Sequence, residues 1–208
     1  MILIGQYDSP FVRRVGVALT LYGLRFEHRP WSVFRQAELI KDFNPLIRVP
    51  TLVLDDGEVL LESHAILDYL DSLVAPEQAL YPREEPARRH ALRVASLACG
   101  MGEKAVTLFY EKVFHNPVAD SWVARCRTQI MGVLENLEAD RAARPTPYWF
   151  GERIGHADIA VASVMRFVLE GHPGLIALGD FPAIAAHCAE MEALPVFQQI
   201  AQPFIPPA

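Results

Sequence analysis

Strand and helix patterns alternate along the first third of this chain and then stop alternating: beyond about Pro86 only helical patterns remain. A chain that changes in this way folds as an α/β region followed by an all-helical one, not as one doubly wound sheet. Ile2-Leu3-Ile4 reads as a short buried strand. Ser9-Pro10 opens a helix with Val15, Ala18, Leu19 and Tyr22 on one stripe, and Gly23 ends it. Residues 26–29 form a second strand, and 36–42 a weak helix or loop. Two runs, 51–54 and 59–61, flank Asp55-Asp56-Gly57-Glu58, which reads as a tight hairpin. Ser63 then starts a helix carrying Ile66, Tyr69, Leu70 and Leu73. The order is β-α-β-α-β-β-α.

Residues 75–86 hold three prolines among polar residues and read as a linker. The spacing then predicts a long helix over 86–115, bent or interrupted near Gly100 and Gly102. A second helix over 120–143 places Trp122, Cys126, Ile130, Val133, Leu134 and Leu137 toward a core, and Pro145 and Pro147 end it. Residues 157–170 are apolar nearly all round, as a central buried helix should be. A last helix covers 181–193, and a proline-punctuated tail follows.

Composition narrows the function. With 51% apolar and 21% charged residues in 208, the chain buries a real core. A net charge of -6 argues against nucleic acid as a partner, since that binding draws on Lys and Arg to neutralise phosphates. The apolar stretch 157–169 is broken by Asp158 and Arg166 and is too short to span a bilayer, so no membrane partner is expected. No basic segment precedes the first apolar run, so no signal peptide is expected. Cys99, Cys126 and Cys188 lack CxxC spacing or His partners. They fit reduced core thiols in a cytoplasmic protein better than disulfides or a metal site.

Three short words carry chemistry: Ser9-Pro10-Phe11, Val49-Pro50 and Glu62-Ser63. Each has an ordinary reading. Ser9 is a good N-cap with proline at the first helical position. Val49-Pro50 could enter an edge strand through a trans bond. Glu62-Ser63 could be a solvated helix start.

In their wider setting the words resemble the glutathione transferase superfamily. The stretches that carry the resemblance are Tyr7-Asp8-Ser9-Pro10-Phe11-Val12-Arg13-Arg14-Val15, Asn44-Pro45-Leu46-Ile47-Arg48-Val49-Pro50-Thr51-Leu52 and Glu62-Ser63-His64-Ala65-Ile66-Leu67-Asp68-Tyr69-Leu70. Gly151 through Asp158-Ile159-Ala160 is similar to the family's C-domain folding motif. The resemblance implies a thioredoxin-like glutathione-binding domain over 1–80 and an all-α domain over 86–208. Ser9 before Pro-Phe is similar to serine-type members of the tau, zeta and omega-like kinds, although omega enzymes carry cysteine there. The resemblance also implies a cis Pro50, a homodimer and glutathione as co-substrate with no further cofactor.

Glutathione presents an amine and α-carboxylate at its γ-glutamyl end, a thiol, and a glycyl carboxylate. On the family's pattern, Glu62 pairs with the amine, and Ser63 with its helix start holds the α-carboxylate. Val49 offers N–H and C=O to the cysteinyl backbone. Ser9, with Phe11 beside it, donates to the sulfur and favours its thiolate; Tyr7 is the alternative hydroxyl. The glycyl carboxylate needs a cation, for which Arg35, Arg48 and Lys41 compete. The second substrate, a small hydrophobic electrophile, is expected against the long helix after the linker, with Met101, Leu108, Phe109 and Tyr110 as wall candidates.

Other residues take plainer readings. Arg13 and Arg14 could steer an anion but read more simply as a helix polar face, His64 as a helix-surface or interface residue rather than a base, and Cys99 as a buried inert thiol rather than one near the cleft. Gly155 replaces the Ser or Thr that usually caps the central helix, which weakens the cap while leaving Asp158 able to bond back to its backbone N–H. Two other functions fit the same words: a non-catalytic transferase-like binding or regulatory protein, and another glutathione-dependent enzyme such as an isomerase, dehalogenase or lyase. Thiol–disulfide exchange is disfavoured, because no cysteine stands near Ser9.

Overall fold

Three apolar residues make β1 (Ile2–Ile4), and the strand lies inside a four-stranded sheet of order β2-β1-β3-β4. It pairs in parallel with β2 (Glu27–Arg29) and antiparallel with β3 (Thr51–Val53), which pairs antiparallel with β4 (Val59–Leu61). The computed structural model describes residues 1–206. They form two units: Met1–Arg83 with the segment from Ala193 onward, and Glu84–Glu192.

Side chains alternate across a strand, so the sheet has two distinct faces. Ile4 and Val53 pack with Ile40 of α2 (Ala37–Lys41), joined by Trp31, Phe43 and Ile47. Leu3 and Leu52 point the other way and are fully buried. The helices contacting β1 and β4 are α1 (Pro10–Leu21) and α3 (Ser63–Ser72), which also pack on each other.

Every residue of α1 from Pro10 to Leu19 is buried, so the expected polar face does not exist. Arg13 and Arg14 are both inside, and each charge is met there, as burial demands. Arg13 donates to the carbonyls of Ile200 (2.9 Å) and Phe197 (3.1 Å), with its guanidinium 5.1 Å from the Phe197 ring centroid. It thereby holds α8 (Pro195–Gln199), a short helix that the proline-punctuated tail did not signal. This anchoring draws the end of the chain into the first unit, whereas the sequence expectation put it with the helical domain. Beside α3, Tyr22 donates to Asp71, whose other oxygen accepts from Tyr81 N–H at 3.0 Å. Burial and the Asp71 carboxylate push the Tyr22 phenol far up.

In the second unit α4 (Ala87–Phe114) packs against α5 (Asp120–Ala142) and α6 (His156–Gly171). The expected interruption of α4 at Gly100 and Gly102 is absent. A helical glycine costs about 1 kcal/mol, which buried neighbours such as Ala98, Met101 and Ala105 offset. Met101 and Leu108 are themselves fully buried, so neither offers a surface to a substrate. On α5 the buried side is Cys126, Ile130, Leu134 and Leu137; Trp122 and Val133 are only partly covered. The Glu138 carboxylate accepts from Ala183 and Ile184 N–H at 2.9 and 2.8 Å and so caps α7 (Pro182–Ala193).

The glycine at the start of α6 leaves half of a capping box. Asp158 Oδ2 accepts from Gly155 N–H at 2.8 Å, and Oδ1 accepts from Trp149 N–H at 2.7 Å. Trp149 is fully buried and donates its Nε1–H to Asp140 at 2.6 Å. One carboxylate therefore closes the helix start and pins the preceding loop. Burial pushes Asp158 up to about 6, against the pull of its N–H donors; it pushes neighbouring His187 down to about 4. At neutral pH the aspartate is ionised and the histidine neutral. Asp158→Ala strands one buried and one half-buried N–H donor and is expected to cost about 3 kcal/mol in urea unfolding. Asp158→Asn keeps one acceptor oxygen and should cost less.

Candidate functional site

Ser9 occupies the N-cap of α1 in extended conformation (φ −70°, ψ 124°), and its Oγ accepts from Val12 N–H at 3.4 Å. Pro10 has no N–H to leave unpaired. The first helical bond runs from Arg13 N–H to Ser9 C=O at 2.9 Å, so Phe11 N–H is an amide with no intrahelical acceptor. No acidic residue stands in the first turn to offset the positive end of the helix. A hydroxyl that accepts one bond still has its own hydrogen to give. The Phe11 ring is buried, so what Phe11 can bring to the site is backbone.

Tyr7 sits beside the middle of α1 rather than at its start. Its ring stacks on His28 with centroids 3.9 Å apart and planes at 14°. Its edge lies against Gly16, where a Cβ would meet Tyr7 Cε1 at 2.7 Å. At 1.5 Å per residue, Gly16 is about 9 Å along the helix from Pro10. Burial pushes the phenol up to about 12, so it stays neutral.

The Val49–Pro50 bond is cis, as the resemblance implies. Ahead of it, buried Asn44 acts as a staple: Nδ2 donates to Arg48 C=O at 2.8 Å and Oδ1 accepts from Leu46 N–H at 3.0 Å. Arg48 C=O also accepts from Thr51 Oγ1 at 3.1 Å. The chain between these anchors turns through Ile47 at φ +51°. Among the described residues, neither the N–H nor the C=O of Val49 makes a hydrogen bond, which leaves one edge of backbone available.

Glu62 precedes α3 at φ +64°, ψ 122°, and its side chain makes no capping bond. Among the described residues, Ile47 and Glu62 are the non-glycine positions with positive φ. Both border the proposed site, and such strain persists where the surroundings over-determine it, commonly at functional sites. Ser63 is buried, and its Oγ accepts from Arg14 Nη1 at 3.3 Å; Arg14 Nη2 reaches Tyr81 Oη at 3.4 Å. Because α3 begins its bonding at Ile66 N–H to Glu62 C=O, the Ser63, His64 and Ala65 amides have no intrahelical acceptor.

The three words are joined pairwise. Gly5, at φ +129°, links the first two: a Cβ there would lie 2.5 Å from Val12 Cγ2 and 2.8 Å from Val49 Cβ. Arg14, in the second turn of the helix that Ser9 caps, joins that helix to Ser63. The third side is an ion pair, Arg48 to Glu62 at 3.4 Å. Of the other cations, Lys41 pairs with Glu38 on α2 at 3.8 Å, and Arg35 is exposed between β2 and α2. His64 is exposed on α3 and Cys99 is buried. Sequence reasoning missed Gly5, Asn44 and the inward role of Arg14. Arg14 and Asn44 lie within stretches that carry the family resemblance; Gly5 lies outside them and has no local signal.

Two family models match the chain: the glutathione S-transferase N-terminal domain over residues 3–78 and its C-terminal domain over 120–190. The Escherichia coli uncharacterized GST-like protein YibF is 34% identical over 66% of this chain and 68% of its own length. Maleylacetoacetate isomerase of Pseudomonas aeruginosa is 28% identical over 95% of this chain and 97% of its own. The crystal structure of a glutathione S-transferase from Methylobacterium radiotolerans, in complex with glutathione sulfonate, superposes with a TM-score of 0.89 at 28% identity. That match covers 100% of this chain and 98% of the other.

Gly5→Ala forces a Cβ into Val12 and Val49 at a backbone angle that alanine rarely adopts. It is expected to cost about 2–4 kcal/mol in denaturant unfolding, and to weaken glutathione binding in the protein that still folds.

Proposed function

The chain belongs to the glutathione S-transferase family, and from that membership we propose that it activates the glutathione thiol with the Ser9 hydroxyl and transfers the thiolate to a small hydrophobic electrophile. The observation that carries this reading is the pairwise joining of the Ser9, Val49 and Glu62-Ser63 words through Gly5, Arg14 and Arg48. The parts of one extended tripeptide then meet complementary groups within the first unit.

The free thiol has a pKa near 8.5, so only a few per cent is thiolate at pH 7. Ser9 gives its hydroxyl hydrogen to the sulfur while its oxygen continues to cap Val12 N–H. Phe11 N–H and the positive end of α1 add to the stabilisation of the anion. A shift of about two units corresponds to roughly 2.7 kcal/mol of preference for the thiolate. Serine stays a donor throughout; the sulfur is the nucleophile.

Val49 bonds the cysteinyl backbone as a one-residue strand. Ser63, backed by the Arg14 guanidinium, takes the γ-glutamyl carboxylate together with the amides of its helix start. The γ-glutamyl ammonium competes with Arg48 for Glu62. An extended tripeptide spans roughly 10 Å, so Arg48 paired with Glu62 is not at the glycyl end. Its long side chain is released toward the glycyl carboxylate as the ammonium takes Glu62, and Arg35 is the second cation for that group.

The full-length likeness to a maleylacetoacetate isomerase supports a second reading, in which the same thiolate adds to a substrate double bond and leaves again after isomerisation. Both readings share the first step. Ser9→Ala is expected to lower kcat at least tenfold, with glutathione affinity unchanged within about twofold, because the hydroxyl acts on the charged sulfur. Steady-state kinetics on a model electrophile, paired with calorimetric glutathione binding, measures both. Full activity in Ser9→Ala would refute the serine mechanism.

A further inference from the structure

The turn that delivers Ser9 is held from the far end of the chain. Residues 6–9 close through a single backbone bond, Ser9 N–H to Gln6 C=O at 3.1 Å. Both central residues of this turn are gripped by the C-terminal segment. Tyr7 N–H donates to Gln202 Oε1 at 3.2 Å, and Asp8 Oδ2 accepts from Ile205 N–H at 3.2 Å. The same segment is fastened to α1 itself. Arg13 bonds the carbonyls of Phe197 and Ile200, and the Ile200 side chain lies so close to Gly16 that a Cβ there would be 3.0 Å from its Cγ2. On its other side the turn rests on His28, which stacks on Tyr7 and bonds Gly5 C=O at 2.8 Å through Nε2.

The geometry points to a positioning role for the segment 197–205, with Gln202 as its central residue: it clamps the turn against α1 and so fixes the Ser9 hydroxyl relative to the sulfur. This rests on the proposed function of Ser9. The clamp touches neither the Val49 backbone nor the Glu62-Ser63 word, which take the rest of the tripeptide. It therefore acts on thiol activation and not on glutathione affinity. A reacting group displaced by about 1 Å can lose up to a hundredfold in rate. A turn released from Gln202 is still closed by the Ser9–Gln6 bond, stacked on His28 and bonded through Asp8 to Ile205, so it is displaced by less than that, which makes about tenfold the expected scale.

Three variants test it: Gln202→Ala, Gln202→Glu, and the chain ended after Ala201. Gln202→Ala and the truncation are expected to raise the pKa of the bound thiol, read by ultraviolet titration, and to lower kcat about tenfold. KM for glutathione should stay within about twofold, because the binding backbone is untouched. Gln202→Glu retains an acceptor for Tyr7 N–H and should restore both values. Gln202 is partly exposed, so its replacement leaves the core intact. A wild-type thiol pKa and kcat in Gln202→Ala would overturn the clamp, as would a loss that Gln202→Glu does not rescue. If the wild-type protein binds glutathione without shifting its thiol, the Ser9 reading fails instead, and that result is read before any variant is made.

Discussion

The first unit depends on the absence of a side chain at Gly5. The end of β1, the first turn of α1 and the segment entering β3 all converge on that residue, and a Cβ would overlap both Val12 and Val49. This close approach puts a helix start beside an unpaired edge of strand. Neither half would be worth much alone. A helix N-terminus without a neighbouring strand attracts any anion, and a strand edge without a charge beside it binds any extended peptide. Together they suit an extended peptide that carries an anionic sulfur, which is the ligand state proposed above.

Around that point a single hydroxyl can serve both the fold and the proposed chemistry. Ser9 as a cap and Ser9 as a thiol donor are not competing readings, because the Val12 bond uses a lone pair and leaves the hydrogen. Ser63 shows the same economy: its oxygen accepts from Arg14, and its hydrogen remains for a carboxylate. Glu62 behaves differently. Its positive φ turns it away from capping, and its carboxylate is met by Arg48, which in the proposed binding mode gives way to the incoming ammonium.

Much of this was legible in the sequence, for physical reasons. Capping at Ser9, the hairpin around Gly57 and the helical stripes rest on neighbours within four residues, so their signals are local. Only the resemblance ties the three words to one site, since nothing local says that the segments around residues 9, 49 and 62 are neighbours. Arg13 and Arg14 were misjudged because two adjacent arginines look like a solvated face. The groups that satisfy them, at Phe197, Ile200, Ser63 and Tyr81, lie on other elements. The Gln202 bond to Tyr7 spans 195 positions and leaves no trace in either segment's pattern. For Met101 and Leu108 the helix is legible and its facing is not, because which side of α4 the helices α5 and α6 cover is a tertiary matter; both residues are buried.

Everything proposed for Ser9 turns on whether these groups hold glutathione as its thiolate. Ultraviolet titration of glutathione bound to the wild-type protein, at saturation confirmed by calorimetry, measures it directly. A half-titration point about two pH units below the 8.5 of a free thiol is expected. Saturable binding with a midpoint at the free-thiol value would contradict it, and would leave a protein that holds glutathione without activating it.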